Sequence, residues 1–546
     1  MAQTPVVPRP DPRHHYDERM SGSVLDELAA PLRAAVAAAG GDDRRLQLYR
    51  PADPTHGDYA SAVALTLAKP LASAPRAIAE RIVEGLESPW IDVAEIAGPG
   101  FINLRLRPSW YGHVVGRVLA EGAAYGAGAA AHPQRLQVEF VSGNPTGPMT
   151  VATARNAAYG DSLARLFKFA GHSVEREYYF NDTGRQIELF GASLQARARG
   201  QEPPEGGYQG DYVTEIATSL GLSPDAPVDE WARAGTDAMM ERIRTTLARF
   251  RVEFDSWFLE RSLHEDGTVK GAIERVRAAG HVYERDGAVW LASEALGDDK
   301  DRVLVRSNGE PTYFAGDIAY IVSKLDRGFD AAVYVLGADH HGYVGRLKAA
   351  ARALGYDPDR VDVQIYQLIN LKGGKMSKRA GRVVTLDDLL DAVGVDAARF
   401  VLVQRSHDQQ IELDLDLLVQ QNSENPVYYC QYAHARIAAI LRNAGDGADR
   451  ARPAPSWSPE PSEVELVKAL AEFPDLVAEA ADRRAPHRIA GHVQDTAKTF
   501  HQFYKQCRVI GAEPETESSR LALCQATKRV LATALDLLGV EAPERM

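Results

Sequence analysis

From Arg135 onward the sequence alternates short apolar runs with longer helical stretches. RLQVEFVS reads as a strand, and VATARNAAYGDSLARLFKFAG as a helix closed by Gly171. HSVEREYYF is a second strand and GRQIELFGASLQARARG a second helix. The pattern resumes with the strand DAAVYVLG, the helix YVGRLKAAARALG and the strand VDVQIYQLI. Strands separated by helices of this length predict an α/β fold, a parallel sheet with helices on its faces. Ligands of such sheets sit beyond the carboxyl ends of the strands. A polar stretch, about 206–297, breaks the alternation and reads as an insertion between two halves.

The flanking regions have other patterns. In residues 21–132, SVLDELAAPLRAAVAAAG and PRAIAERIVEGLES have helical periodicity, and AGPGFINLRL is a turn followed by a strand with Phe101, Asn103 and Arg105 on one face. Past about Thr385 the chain is nearly all helix, with PVYYCQYAHARIAAILRNAG opening a bundle and ADRARPAPSWSPEPS a loop within it. A length of 546 residues fits three or four such units. The first twenty residues, Pro-rich and charged, lack the apolar core of a secretory signal and read as a disordered extension, with Met20 as an alternative start. No run approaches the roughly 20 apolar residues that span a bilayer. Three scattered cysteines, Cys430, Cys507 and Cys524, fit a reducing cytoplasm. A net charge of −13 argues against indiscriminate coating of nucleic acid, while a local basic patch still suffices for one specific RNA.

Two loops carry the chemistry. LKGGKMSKRAG places Lys375, Lys378 and Arg379 on a short Gly-flanked segment, suited to a polyphosphate whose charge shifts during reaction. NPTGPMTVATARN, Asn144 to Asn156, has the strand–turn–helix form of a phosphate-binding loop but neither histidine nor lysine. Glu139 on the first strand, with Tyr313 and Asp317 in TYFAGD, supplies carboxylates and an aromatic face that would hold a planar cation. Tyr313 and Asp317 are four apart and share a helix face. GADHHGY offers Asp339, His340 and His341, but adjacent histidines without a spaced third donor rarely ligate one ion, so no metal site is expected. GPGFIN lacks the GxGxxG of a dehydrogenase.

KMSKR after a parallel sheet resembles the second signature of class I aminoacyl-tRNA synthetases. VEFVSGNPTGPMTVATARNAAYGDSLARL, REYYFNDTGRQI, PTYFAGDIAY, GADHHGY, ENPVYYCQYAHARI and LLGVEAPERM together resemble the arginyl-tRNA synthetase family, from about Ser21 to Met546. The resemblance implies an N-terminal α/β domain that contacts the tRNA elbow (21–132). It also implies a Rossmann-type catalytic domain (133–385) and a helical stem with an all-α anticodon-binding bundle (386–546). It implies ligation of L-arginine to tRNA(Arg) through an arginyl-adenylate, with tRNA bound before arginine is activated. ATP with Mg2+ would be a substrate, with no tightly bound cofactor, no membrane partner and a monomeric, cytoplasmic enzyme. Glu139, Tyr313 and Asp317 match positions around the guanidinium, and Asn144 a contact to the amino acid's backbone groups. Asp339 and His340 match the site floor near adenosine and arginine. Pro148, Ala152, Met376 and Ser377 fall to the nucleotide, and Lys375, Lys378, Thr150 and Thr153 to catalysis.

One departure stands out. Where the family has His-x-Gly-His, this chain has Thr150, Val151, Ala152 and Thr153. In the family the histidines donate hydrogen bonds to the ATP phosphates and the glycine lets adenine lie against the backbone. Threonine donates over a shorter reach and cannot become cationic. Loss of one preorganised donor typically removes about 3–4 kcal/mol of transition-state stabilisation, and two such losses need not add. The methyl of Ala152 would crowd the adenine by a further roughly 1–3 kcal/mol. Three readings follow: a ligase with a variant ATP pocket, a paralogue that binds arginine or tRNA without useful activation, and a scaffold turned to another arginine-dependent reaction. The ligase leads, because the rest of the site is present.

In the bundle, Tyr428, Tyr429, Tyr432 and Arg436, and the stretch FYKQCR, could stack and pair with unstacked bases. Packing within the bundle core is the competing role of at least one tyrosine.

Overall fold

The computed structural model describes residues 22–372 and 385–546. Its centre is a five-stranded, wholly parallel sheet. From one edge to the other the strands are Val361–Tyr366, Ala331–Gly337, Arg135–Glu139, Ser173–Phe180 and Ser256–Leu259. The order in which the chain adds strands therefore switches sides between Arg135–Glu139 and Ala331–Gly337, the place at the strands' carboxyl ends where such sheets form a crevice. Alternate residues of Ala331–Gly337 enter different cores. Val333 and Val335 pack with the helix Val151–Ala170, Ala332 and Tyr334 with the helices Tyr313–Asp326 and Tyr343–Ala353. Both faces of Ala331–Gly337 are covered, which is why that strand reads as a nearly unbroken apolar run.

The helix Val151–Ala170 ends as its sequence predicts, with Gly171 left-handed (φ 106°) and donating back to Lys168 and Phe167. Its middle lies so close to the sheet that a Cβ on Gly160 would stand 2.3 Å from the Phe140 ring. The segment read as an insertion differs from expectation. It holds the helices Asp211–Leu220 and Val228–Arg249, but it also supplies the sheet's edge strand, Ser256–Leu259, paired with Tyr178 and its neighbours. Four residues are too short a strand to show a period against the polar sequence around them. A small antiparallel sheet, Val282–Arg285, Ala288–Leu291 and Arg302–Val305, follows.

Before the central sheet, Tyr59–Ser61, Phe101–Leu106 and Ile91–Ala97 form an antiparallel sheet packed with the helices Val24–Ala38 and Pro75–Glu84. From Leu386 onward the described chain is helical and loop apart from the strand Ile411–Leu413, which pairs in parallel with Ile369–Leu371. Long helices from Pro426–Ala444 to Pro514–Leu537 make the bundle, with Cys430, Cys507 and Cys524 free and buried in it. Among the described residues no helix is long and apolar enough to cross a membrane.

Candidate functional site

Sheet register alone brings acids together. Tyr334, Glu139, Glu177 and Ser256 form one row across four neighbouring strands, so two carboxylates stand side by side in a covered sheet. Like charges so placed repel, and the covering helix supplies the counter-charges. Lys324, completely buried, donates to Glu139 Oε2 at 2.5 Å and lies 3.6 Å from the centre of the Tyr334 ring. Arg327, three residues on, donates to both oxygens of Glu177 at 2.7 and 3.1 Å. Tyr320 adds its hydroxyl to Glu177 at 2.5 Å. Burial pushes the Glu177 carboxyl up, but Arg327, Lys324 and Tyr320 outweigh it and hold it below the usual range. Glu139 thus has a cation of its own inside the protein.

A second acidic group, beside the first, has no ion-pair partner among the described residues. Asp317 lies one turn into the helix Tyr313–Asp326, and burial, Glu260 and Glu139 push its carboxyl up to about 7. Glu260, 5% exposed, sits where the edge strand passes into the helix Glu260–Glu265. Its Oε1 approaches within 3.6 Å of where a Cβ on Gly316 would stand. Burial raises Glu260 as well, against a hydrogen bond from Tyr179. Among the described residues no basic side chain forms an ion pair with Asp317 or Glu260; Arg346 acts on Asp317 from farther away. Tyr313 opens the same helix and is 65% exposed at the rim, its hydroxyl 3.6 Å from a Cβ position on Gly184. An acidic recess with an exposed aromatic rim fits a planar cation.

The loop after Arg135–Glu139 leads from this recess to the helix Val151–Ala170. Asn144 is exposed and donates to Gln186 at 2.6 Å. Pro148 is half-buried. Thr150 is the N-cap: its Oγ1 accepts from the Thr153 N–H at 3.4 Å and lies 3.1 Å from the Thr153 hydroxyl. Ala152 faces solvent in the first turn. The loop is fastened from behind, Leu386 N donating to Met149 O at 2.8 Å and Thr385 bridging Thr150. Across the crevice His340 pairs with Asp339 at 3.1 Å in the loop after Ala331–Gly337, and Asp339 acts on Tyr366. Among the described residues no cluster of potential metal ligands occurs. Lys375, Met376, Ser377, Lys378 and Arg379 lie outside the described residues.

Sequence reading missed Lys324, Glu177, Glu260, Tyr179 and Tyr320. The available signal was charge inside apolar segments: Glu177 within REYYF, and Lys324 in a helix otherwise buried at that position.

A groove of about 660 Å³ opens in the bundle between Tyr428, Tyr432, Arg436, His501, Tyr504 and Lys505. The rings of Tyr428 and Tyr432 are nearly parallel, 6.0 Å apart, and Arg436 lies over Tyr432 and Tyr504 at 4.5 and 5.0 Å. Tyr429 also lines the groove while packing partly against the core.

Three family descriptions cover the chain: Arginyl tRNA synthetase N terminal domain over residues 26–106, tRNA synthetases class I (R), catalytic domain over 114–207 and 225–438, and DALR anticodon binding domain over 430–546. A putative arginyl-tRNA synthetase from Campylobacter jejuni is similar at 32% identity and a TM-score of 0.76, over 81% of this chain and all of that one. The arginyl-tRNA synthetase of Thermus thermophilus shares the fold at 24% identity and 0.77, over 95% of this chain and all of its own. That of Plasmodium falciparum does so at 16% and 0.75, over 97% of this chain and all of its own.

Proposed function

Because the chain belongs to the arginyl-tRNA synthetase family, we propose that it is an arginine–tRNA ligase. It joins L-arginine to ATP as arginyl-adenylate, with release of pyrophosphate, and passes the arginyl group to the 3' end of tRNA(Arg), with release of AMP. The observation that carries this reading is the pair of Asp317, half-buried, and Glu260, buried, neither in an ion pair among the described residues, beside the exposed ring of Tyr313. A guanidinium completes that recess: it neutralises the acids, and its planar donors match carboxylate geometry. Asn144, at the loop's exposed turn, would meet the amino acid's backbone groups. ATP binds with Mg2+ as substrate, its phosphates drawn to the amino end of the helix Val151–Ala170 and to Lys375 and Lys378. Pro148, Ala152, Met376, Ser377 and Asp339 would line the nucleotide, and His340 the arginine. The stacked tyrosines and Arg436 of the bundle would receive unpaired anticodon bases. We place the reaction in the cytoplasm and the working unit as a monomer.

A second reading has its own support. Thr150 Oγ1 accepts the Thr153 N–H and lies 3.1 Å from the Thr153 hydroxyl, so one helix N–H and one of the two hydroxyl protons that would serve phosphate are engaged in the cap. That arrangement favours a paralogue that binds arginine and tRNA with weak or altered activation. ATP–pyrophosphate exchange with arginine, with and without tRNA, separates the two. Exchange dependent on arginine and tRNA supports the ligase; tight tRNA binding with no exchange overturns it.

A further inference from the structure

The backbone just beyond the central strand takes a course that its residues resist. Val141 has φ 68° and Ser142 φ 44°. Left-handed backbone is uncommon for any residue with a side chain, and for a β-branched one it is an outlier. Ser142 N donates back to Phe140 O at 3.0 Å, which closes a three-residue turn around Val141, a rare and strained form. Such a turn persists only where its surroundings over-determine it.

Three side chains do so. Asn156, on the helix Val151–Ala170 and 4% exposed, accepts the Val141 N–H at 2.9 Å and donates to Val335 O at 3.1 Å. It thereby ties the turn to the strand on the other side of the crevice. Tyr178, 1% exposed on the neighbouring strand, places its hydroxyl 3.0 Å from both the N–H and the carbonyl oxygen of Gly143. Ser142 Oγ accepts the Tyr179 N–H at 3.3 Å, where the sheet ladder would otherwise continue. Asn144 follows at once, exposed above the crevice.

The geometry points to Asn156 and Tyr178 as positioning residues that hold the Val141–Gly143 turn in its left-handed course and so set Asn144 against the bound amino acid. The inference rests on the arginine reading for its ligand, though not for the clamp itself. Because Asn156 also lies two turns into the helix capped by Thr150, one side chain couples the amino-acid loop to the nucleotide end of the same site.

The test uses the full chain with Tyr178→Phe, Asn156→Ala, and Asn156→Ala combined with Val141→Gly. Tyr178→Phe keeps the ring's packing and removes one hydroxyl, so it stays informative if Asn156→Ala folds poorly. Amide exchange of residues 140–147 reads the clamp, and calorimetric titration with L-arginine reads its consequence. Each single variant should speed exchange in that segment about tenfold, as loss of one or two hydrogen bonds predicts, and weaken arginine binding by a similar factor. Glycine adopts a positive φ without a Cβ clash, so Val141→Gly should return most of the affinity lost in Asn156→Ala. Unchanged exchange in both single variants would overturn the clamp. Faster exchange with arginine affinity unaltered would overturn the positioning role. Lost affinity that Val141→Gly fails to restore would place Asn156 in contact with the ligand instead. If the parent itself binds no arginine, the reading of the recess fails, and the positioning role with it, while exchange still decides the clamp.

Discussion

At Asp317 the protein keeps a carboxyl in a place that favours its proton. In the unfolded chain this group ionises near its ordinary value of 3.8, and in the fold at about 7. Between those limits the folded state holds the extra proton, so Asp317 lowers stability as pH rises from about 4 to about 7. Asp317→Asn should therefore stabilise the unliganded protein above about pH 7, with the gain vanishing below about pH 4; thermal melts across that range check it. Arginine binding has the opposite preference, since its guanidinium pairs with the ionised acid. Affinity should climb with pH up to about 7 and then level, and Asp317→Asn should remove at least roughly 1.5–3 kcal/mol of binding. Calorimetry showing equal affinities in parent and variant would dismiss the recess as the arginine site. Glu139 behaves differently because Lys324 already neutralises it. Glu139→Gln leaves a fully buried ammonium short of its nearest anion, and breaking such a pair destabilises by about 3–5 kcal/mol. Urea unfolding should show that loss; an unmoved midpoint would mean that Glu177 alone suffices for Lys324.

The helix Val151–Ala170 has an amino end made for a helix first. A threonine N-cap contributes about 1 kcal/mol over an uncapped end, and here it occupies the position that the family gives to a phosphate-binding histidine. The triple change Thr150→His, Ala152→Gly, Thr153→His should lower stability by about that much and raise tRNA-dependent arginyl-adenylate formation by at least ~10²-fold, the lower end for one preorganised donor. A parent that already turns over at about 1 s⁻¹ or faster would show that the threonines suffice. Replacing both Lys375 and Lys378 with alanine should abolish pyrophosphate exchange and leave tRNA affinity within a few-fold; the reverse pattern would give that loop to the RNA. Long periodic segments were legible from sequence at this scale. The helix from Val151 to Gly171 and the strands at Arg135, Ser173, Ala331 and Val361 form where their patterns put them, because burial on one or both faces leaves a period. Ser256–Leu259 left none, and the polar sequence around it hid a strand of the main sheet. Asp317 and Tyr313 were legible as a helical pair. Glu260 was not, because what brings it to Asp317 is the pairing of that hidden strand.

Across the whole molecule, charged contacts fasten the bundle to both other units. Arg50 pairs with Glu472 at 2.7 Å and Lys468 with Asp58 at 2.8 Å, joining the bundle to the first unit. Arg399, fully buried, donates to Asp161 on the helix Val151–Ala170, to Phe250 O at 2.9 Å and to Leu538 O at 2.8 Å. The chemistry of the groove around Arg436 suits RNA bases: Tyr432 and Tyr504 are 36% and 42% exposed, Arg436 lies over both, and burial pushes His501 down to about 4, so the imidazole adds no charge. Stacking of a base on an aromatic ring contributes about 1–3 kcal/mol. Tyr432→Ala and Arg436→Ala should each weaken tRNA binding by about five- to a hundredfold on that scale, while arginine binding measured without tRNA stays unchanged. The family's order of events makes the comparison sharper. If activation waits for tRNA, the same variants should depress arginine-dependent pyrophosphate exchange at low tRNA and recover it at saturating tRNA. Filter binding and exchange, each titrated with tRNA, supply the two curves. Unaltered tRNA affinity would return the tyrosines to the role of packing. Exchange that stays depressed at saturating tRNA would show that the groove acts on the active site through the fastened units, beyond holding the RNA.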